Sequence, residues 1–323
     1  MMNAEQEEIS RGLLARLVAR FIGGDESRFE FRRSRSGRFN TTYFVKGAAR
    51  PVLLRIAPPP EYSPKMLFYE RRMMRQEPPL HELVRSLTSV PVPEIIGFDW
   101  SHRRIERDYL VMERMPGIAL SELRQISHGC YERVMFEIGR YLRQLHSIEG
   151  ESYGYVGPHR PMKPQKDWAA AFRVMWNKLL DDIRSVNGYS EREEVLMRQL
   201  LDRHFSIFLR DAPARLLHMD IWSQNILVDS DCKITGIVDM DRALWGDVEI
   251  EFAVLDYTGC SEQAFWQGYG SERDLSEAAQ VRRIFYLLYE IQKYIFIRRA
   301  RYGRPELADR YRVKSLRLAR QLM

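Results

Sequence analysis

The chain has 323 residues, a formal charge of +6 at pH 7, 45% apolar residues and 11% aromatics. That length exceeds one small core and predicts two lobes, and the apolar share excludes disorder as the default state. The modest positive charge suits phosphate-bearing ligands but is weak ground for a nucleic-acid binder. Cys130, Cys232 and Cys260 are odd in number and have neither zinc nor redox spacing, so no disulfide framework is expected. Met1 to Glu8 is acidic and no apolar h-region follows, so no signal peptide is expected, and the best apolar run, Ile284 to Ile297, is broken by Glu290 and Lys293. The expectation is a cytoplasmic protein that makes no membrane contact; its oligomeric state is left open.

Ile9, Leu13, Leu14, Leu17, Val18 and Phe21 recur at helical spacing until Gly23-Gly24 stops the run. Phe29–Arg35, Phe39–Lys46 and Val52–Ile56 are short β-branched or aromatic stretches separated by turns, and read as antiparallel strands. A helical stretch follows from about Pro64 to Leu87, with an interruption expected at Pro78-Pro79. After Val90-Pro91-Val92-Pro93, strands are expected near Ile95–Phe98 and Tyr109–Met112. Beyond Pro116-Gly117 long helical patterns take over: Tyr131–His146, Trp168–Val186, Arg192–Leu209, Ala278–Ala300 and Pro305–Met323. The expected architecture is α+β and bilobal, with a small antiparallel β lobe over residues 1–113 and a larger, mainly helical lobe over 114–323.

His218-Met219-Asp220-Ile221-Trp222-Ser223-Gln224-Asn225 lies among these helices, before the apolar stretches Ile226–Val228 and Ile237-Val238-Asp239. An Asp–x4–Asn pair alone is a common turn or cap. Here Asn225 opens a strand, Asp231-Cys232-Lys233 turns the chain, and the return strand carries Asp239 back towards Asn225. An amide and a carboxylate brought together suit magnesium, and a further carboxylate at Asp220 suits deprotonation of an acceptor hydroxyl, the set that phosphoryl transfer needs.

Four segments, Val90–Pro93, Tyr109–Gly117, His218–Val228 and Ile237–Asp247, resemble the aminoglycoside phosphotransferase family within the protein-kinase-like small-molecule kinases, in that family's order. The resemblance implies a kinase-like fold, ATP or GTP as donor, Mg2+, and a small-molecule hydroxyl acceptor. It implies Asp220 as catalytic base, Asn225 and Asp239 as magnesium ligands, and His218 as a brace for the loop. Glu113 to Met115 become the hinge whose backbone meets the purine. Ser34 to Tyr43, with Ser36, Gly37 and Asn40, occupies the place of the phosphate-covering loop, although an ordinary hairpin turn reads equally well. Arg55 stands where the family often has lysine and is assigned the phosphates, with Glu77 as its acidic partner and Glu70 as runner-up.

Met219 replaces the family's usual glycine, and its larger side chain either narrows the acceptor site or packs inward. Asp247 and Glu251 match the family's structural turn and helix start, and Asp241 is a guess for the mouth of the site. From Asp241 to Glu262 six acids face one arginine, a patch that suits a polycationic aminoglycoside. Phe252, Tyr257, Phe265, Trp266 and Tyr269 stack on sugars or pack as core. The tail from Arg298, with nine Lys or Arg against two acids, reads as a solvated basic helix, with nucleic-acid contact as the sharper alternative. The reading is a small-molecule phosphotransferase acting on an antibiotic or a metabolite. The alternative is a nucleotide-binding pseudokinase or ligand sensor without turnover.

Overall fold

The computed structural model describes residues 9–34 and 39–323; Ser36 and Gly37 lie outside them. Helix α1 (Arg11–Ile22) starts at Ser10, whose side chain accepts the Leu13 N–H, a standard N-cap. Its buried Leu14, Leu17 and Val18 pack with Val52, Leu54 and Ile56 on one face of the sheet. Burial of each such side chain stabilises the lobe by about 2 kcal/mol. The sheet comprises β1 (Glu30–Arg33), β2 (Thr41–Lys46), β3 (Val52–Ile56), β4 (Ile95–Asp99) and β5 (Tyr109–Glu113), in the order β1-β2-β3-β5-β4, and each of its pairings is antiparallel.

The connection after β3 departs from the expected long helix. Residues 60–76 contain two 3-10 turns, Pro60–Lys65 and Met73–Gln76, with left-handed Arg72 between them at φ 58°. Helix α2 (Glu77–Leu87) begins only at the prolines. Pro78 and Pro79 therefore occupy the first turn, where a missing N–H costs nothing and a fixed φ assists nucleation. They start a helix rather than interrupt one.

The helical lobe follows with β6 (Ile118–Ala119), α3 (His128–Leu145), α4 (Trp168–Ser185), α5 (Glu191–Arg203), β7 (Arg215–Leu217), β8 (Ile226–Val228), β9 (Ile234–Ile237) and β10 (Leu244–Gly246). Helices α6 (Val248–Thr258), α7 (Gln263–Tyr269), α8 (Glu277–Phe296) and α9 (Pro305–Ala319) complete it. A π-helical turn, Ile297–Arg301, ends the run begun by α8. Leu80 and Val84 of α2 share a core with α3 and the β8–β9 hairpin, while α4, α5, α8 and α9 enclose a second core around Phe172, Trp176 and Phe285.

Between the lobes, Gly117 has φ 90°, and a Cβ there would lie 2.5 Å from Thr235 Oγ1 and 2.6 Å from Val228 O. Only glycine fits this close approach. Thr235 Oγ1 donates to Pro116 O at 2.7 Å, so the hinge rests directly on the hairpin.

The cysteine expectation needs correction. Cys130 and Cys232 form a disulfide, leaving Cys260 free and buried. Their sequence separation of 102 hid the pair, but Cys130 on α3 and Cys232 in the β8–β9 turn are brought together because α3 packs on that hairpin. Among the described residues no helix is long and apolar enough to cross a membrane.

Candidate active site

The segment between β7 and β8 is short, and its path is set by a carboxylate beneath it. Glu251 Oε2 accepts the His218 N–H at 2.9 Å and Oε1 accepts the Met219 N–H at 2.7 Å. His146 Nε2 lies 3.1 Å from the same carboxylate. Burial pushes the Glu251 pKa up, but these hydrogen bonds and the neighbouring histidines outweigh it and hold the value below the ordinary range. Glu251 is thus the anchor of the loop, in keeping with a structural role.

Met219 has φ 64°, a left-handed conformation that favours glycine. Its side chain is completely buried in the core with Leu217 and Trp168. The replacement therefore packs inward and does not narrow the site.

The loop places its polar groups accordingly. The Asp220 N–H donates to His218 Nδ1 at 3.3 Å, which puts the His218 proton on Nε2 and makes this side chain a brace. Asn225 Nδ2 donates to Asp220 O and to Asp220 Oδ2, both at 2.9 Å. The Asn225 amide oxygen is then the atom left for a cation. Asp220 Oδ1 lies 3.6 Å from Arg242 Nη1. Burial raises the Asp220 pKa, Arg242 and Lys293 oppose this, and Asp239 and Glu290 add to it; the net direction is upward. A carboxylate shifted upward is a better proton acceptor.

Asp239 follows β9 in a left-handed conformation at φ 71°, and its carboxylate is 38% exposed. Arg55 on β3 reaches across to it. The guanidinium lies 2.6 Å from Glu77 Oε2, 2.7 Å from Asp239 Oδ1 and 3.4 Å from Asp241 Oδ2. Glu77, rather than Glu70, is the partner. Glu70 instead pairs with Arg301 and accepts the Leu67 N–H at 2.7 Å. Three carboxylates around one buried guanidinium leave a surplus of negative charge. Desolvation raises Glu77 to about 7 despite Arg55, and burial together with Asp239 pushes Asp241 well up. Burial pulls the Arg55 pKa down, but the three carboxylates outweigh it and drive it upward, so the group stays charged.

Asn40 is drawn into the same cluster. It is buried, and its Nδ2 donates to Asp241 Oδ2 at 3.1 Å. Asp241 is accordingly a buried member of the Arg55 cluster and does not reach the mouth of the site. At the hinge, the Glu113 and Arg114 N–H groups are spent on Glu94 O and Pro51 O. Among the described residues the Met115 N–H has no backbone partner, which leaves it as the free donor there.

Sequence reasoning missed a second ionic group. Arg242 Nη1 donates to Met219 O at 2.8 Å, and Nη2 donates to Glu290 at 2.7 Å. Lys293 Nζ lies 2.6 Å from the other Glu290 oxygen. Arg242 follows Asp239 by three positions, which is a readable clue, but Glu290 and Lys293 come from a distant helix that carries no motif.

The acidic patch from Asp241 to Glu262 also resolves differently. Asp247 takes Arg210 at 2.6 Å, Glu249 takes Arg282 at 2.7 Å, and Asp256 takes Arg273 and Arg283, each at 2.6 Å. With Asp241 and Glu251 committed as described, five of the six acids face internal partners, and among the described residues this segment leaves only Glu262 without one. Phe252 and Phe265 are buried, and Trp266 and Tyr269 pack around them. Among the described residues no group of three or more His, Cys, Asp or Glu side chains is placed to hold a metal. Magnesium bound by one carboxylate, one amide and substrate phosphates needs no such cage.

Residues 30–281 match the model of the phosphotransferase enzyme family. The chain is 25% identical over 221 residues to a probable ketoamine kinase of Vibrio parahaemolyticus, covering 65% of this chain and 69% of that protein. It is 26% identical over 223 residues to a probable ketoamine kinase of Vibrio cholerae, with the same coverage. Among solved structures, a putative fructosamine-3-kinase from Haemophilus somnus superposes with a TM-score of 0.68 at 20% identity, covering 96% of both chains. A ternary complex of the aminoglycoside phosphotransferase APH(4)-Ia with ADP and hygromycin B gives 0.62 at 15% identity, covering 95% of this chain and 98% of that one. The fold is the expected bilobal, kinase-like one, and the chain belongs to the phosphotransferase enzyme family.

Proposed function

We propose that this chain transfers the γ-phosphate of ATP or GTP to a hydroxyl group of a small molecule, with Mg2+. The observation that carries the reading is the convergence of two pairs: Asn225 on Asp220 at 2.9 Å and Arg55 on Asp239 at 2.7 Å, with Asp220 and Asp239 close enough to shift one another's charge. In this reading the lobe of residues 1–113 holds the nucleotide and the lobe of 114–323 holds the acceptor. The Met115 N–H and the Glu113 carbonyl meet the purine. Arg55 turns part of its donor fork from Asp239 to the phosphate oxygens, with Glu77 holding it in place. The Asn225 amide oxygen and the Asp239 carboxylate are the ligands that fit magnesium, which when bound neutralises charge on the phosphates. Asp220, held by Asn225 and Arg242, orients the acceptor hydroxyl and takes its proton.

The test is nucleotide turnover with Mg2+ across ketoamines, sugars, amino-alcohols and aminoglycosides, with ketoamines first because the Vibrio relatives are named for them. Asp220→Asn is expected to lower acceptor-dependent turnover by about 10²–10⁴-fold while calorimetric ATP affinity stays within about threefold. Near-normal turnover in that variant would remove Asp220 from its role. Tight nucleotide binding with no acceptor-dependent turnover anywhere would favour a pseudokinase.

A further inference from the structure

The side of the catalytic loop that faces α9 is basic and aromatic. A cavity of about 310 Å3 is lined by Tyr257, Arg298, Leu307, Arg310, Tyr311 and Lys314. It adjoins the loop through two routes. Thr258 Oγ1, next to Tyr257, donates to Ile221 O at 3.0 Å, immediately after Asp220. Tyr257 also packs 5.7 Å from Tyr294, which follows Lys293 of the Arg242–Glu290–Lys293 group beside Asp220.

Tyr294 in turn stacks on Tyr311 at 4.9 Å, and the Tyr257 and Tyr311 hydroxyls lie 3.4 Å apart. Lys314 Nζ sits 5.0 Å over the Tyr257 ring, and Arg298 lies 5.9 Å over Tyr311. Among the described residues neither Arg298, Arg310 nor Lys314 makes an ion pair, and Arg298 Nε is buried without a hydrogen-bond partner. This sets them apart from the other basic groups nearby. Arg273 and Arg283 are spent on Asp256, Arg282 on Glu249, Arg299 on Asp309 and Arg312 on Glu193.

Three unpaired cations on the wall of an aromatic cavity, next to helix α6 whose Glu249, Glu251 and Asp256 already face internal partners, are a recognition surface for negative charge. We infer that this cavity is the acceptor subsite and takes a small polyol or sugar that carries a carboxylate or phosphate. The inference rests on the phosphotransferase reading proposed above. Tyr257 and Tyr311 supply the flat faces against which the apolar side of a sugar ring packs, and Arg298, Arg310 and Lys314 hold the anion. A polycationic aminoglycoside is repelled from the same wall. The cavity's small volume, about 310 Å3, favours a small molecule over a nucleic acid, which needs an extended groove.

The experiment is calorimetric titration of the full chain with a matched set: glucose, glucosamine, glucuronate, glucose 6-phosphate and kanamycin. ATP is titrated separately, and turnover is followed with each compound. Glucuronate or glucose 6-phosphate is expected to bind at least about tenfold more tightly than glucose, and glucosamine and kanamycin more weakly. The exposed positions tolerate change, so Arg310→Gln/Lys314→Gln is expected to fold normally and to remove most of that preference, a loss of about tenfold in anion affinity. ATP affinity should be unchanged in that variant. Equal or weaker binding of both anions relative to glucose overturns the subsite, whether or not ATP binds. So does turnover confined to cationic acceptors, or binding of a short RNA in place of the small anions. Failure to bind ATP at all would instead strike the phosphotransferase reading itself.

Discussion

Glu251 Oε1 accepts the Met219 N–H at 2.7 Å, and this contact holds a non-glycine residue in left-handed backbone next to the candidate base. The position pits two effects against each other. Left-handed backbone in a residue with a Cβ costs on the order of 1 kcal/mol, whereas truncating a fully buried Met costs about 2–5 kcal/mol. Met219→Gly removes both the strain and the side chain. Since the side chain is the larger contribution, the variant is expected to be less stable by about 1–3 kcal/mol in urea unfolding. Its turnover should change little, because the Glu251 contact is to backbone. A gain in stability would show that strain dominates.

Arg55 presents one planar fork to Glu77, Asp239 and Asp241, and no ammonium group can do the same. Arg55→Lys keeps one contact and leaves buried carboxylate charge underpaired. The expected cost is about 1–3 kcal/mol in stability and about tenfold in ATP affinity. Arg55→Ala is harsher, at about 3–5 kcal/mol, because it strands a fully buried Glu77. Urea unfolding together with calorimetric ATP titration checks both. A lysine variant matching the wild type in the two measurements would mean that the three-way bridge contributes nothing.

What was legible in the sequence follows the range over which each signal acts. Strands β2, β3 and β5 and helices α3 and α4 were readable because alternation and helical periodicity are local. The proximity of Asp220, Asn225 and Asp239 was readable because a hairpin joins them within a short span of chain. The Arg55–Glu77 pair was found by resemblance, and the distances agree with it. Between Pro64 and Gln76 the expected helix is absent, because that segment is held by tertiary contacts, such as the Phe68 N–H on Asp182 at 2.8 Å, and not by its own periodicity. Short α7 was overlooked for a related reason: seven residues give too little period to read. Composition misled most over the acids after Asp239, since counting charges cannot show which of them already face an arginine.

The disulfide offers a prediction that separates redox state from packing. Cys130–Cys232 closes a loop with a sequence separation of 102, and a cross-link of that span stabilises by up to about 4–5 kcal/mol through the unfolded chain. Cys232→Ser is expected to melt lower than the wild type under oxidising conditions. With dithiothreitol present the two should converge, since Cys232 is only partly buried and the substitution is otherwise small. Non-reducing peptide mapping gives the direct assay. A free-thiol count of three in the oxidised protein would refute the bridge.

His81 makes acid stability testable at one residue. It is fully buried, its Nδ1–H donates to Pro93 O at 2.8 Å, and its Nε2 lies 3.8 Å from Glu77 Oε2. Burial, with Arg55, His218 and Arg85 adding to it, depresses its pKa from 6.5 to about 4 in the folded protein. Between these values the unfolded chain binds the proton and the folded one does not, so stability rises with pH. The contribution is therefore present above pH 6.5 and is lost as pH falls to 4, an effect on the order of 3 kcal/mol. Glu77, raised to about 7, works in the opposite sense: its contribution is present below 4.5 and is lost as pH rises through 7. His81→Leu leaves Glu77 in place and removes only the histidine titration, at a cost of about 1 kcal/mol for the Pro93 contact. Urea unfolding of both proteins from pH 7 to pH 4 should give a steeper acid loss in the wild type and a crossing of the two curves at about pH 6. Curves that stay parallel over that window would mean that His81 does not carry this part of the acid response.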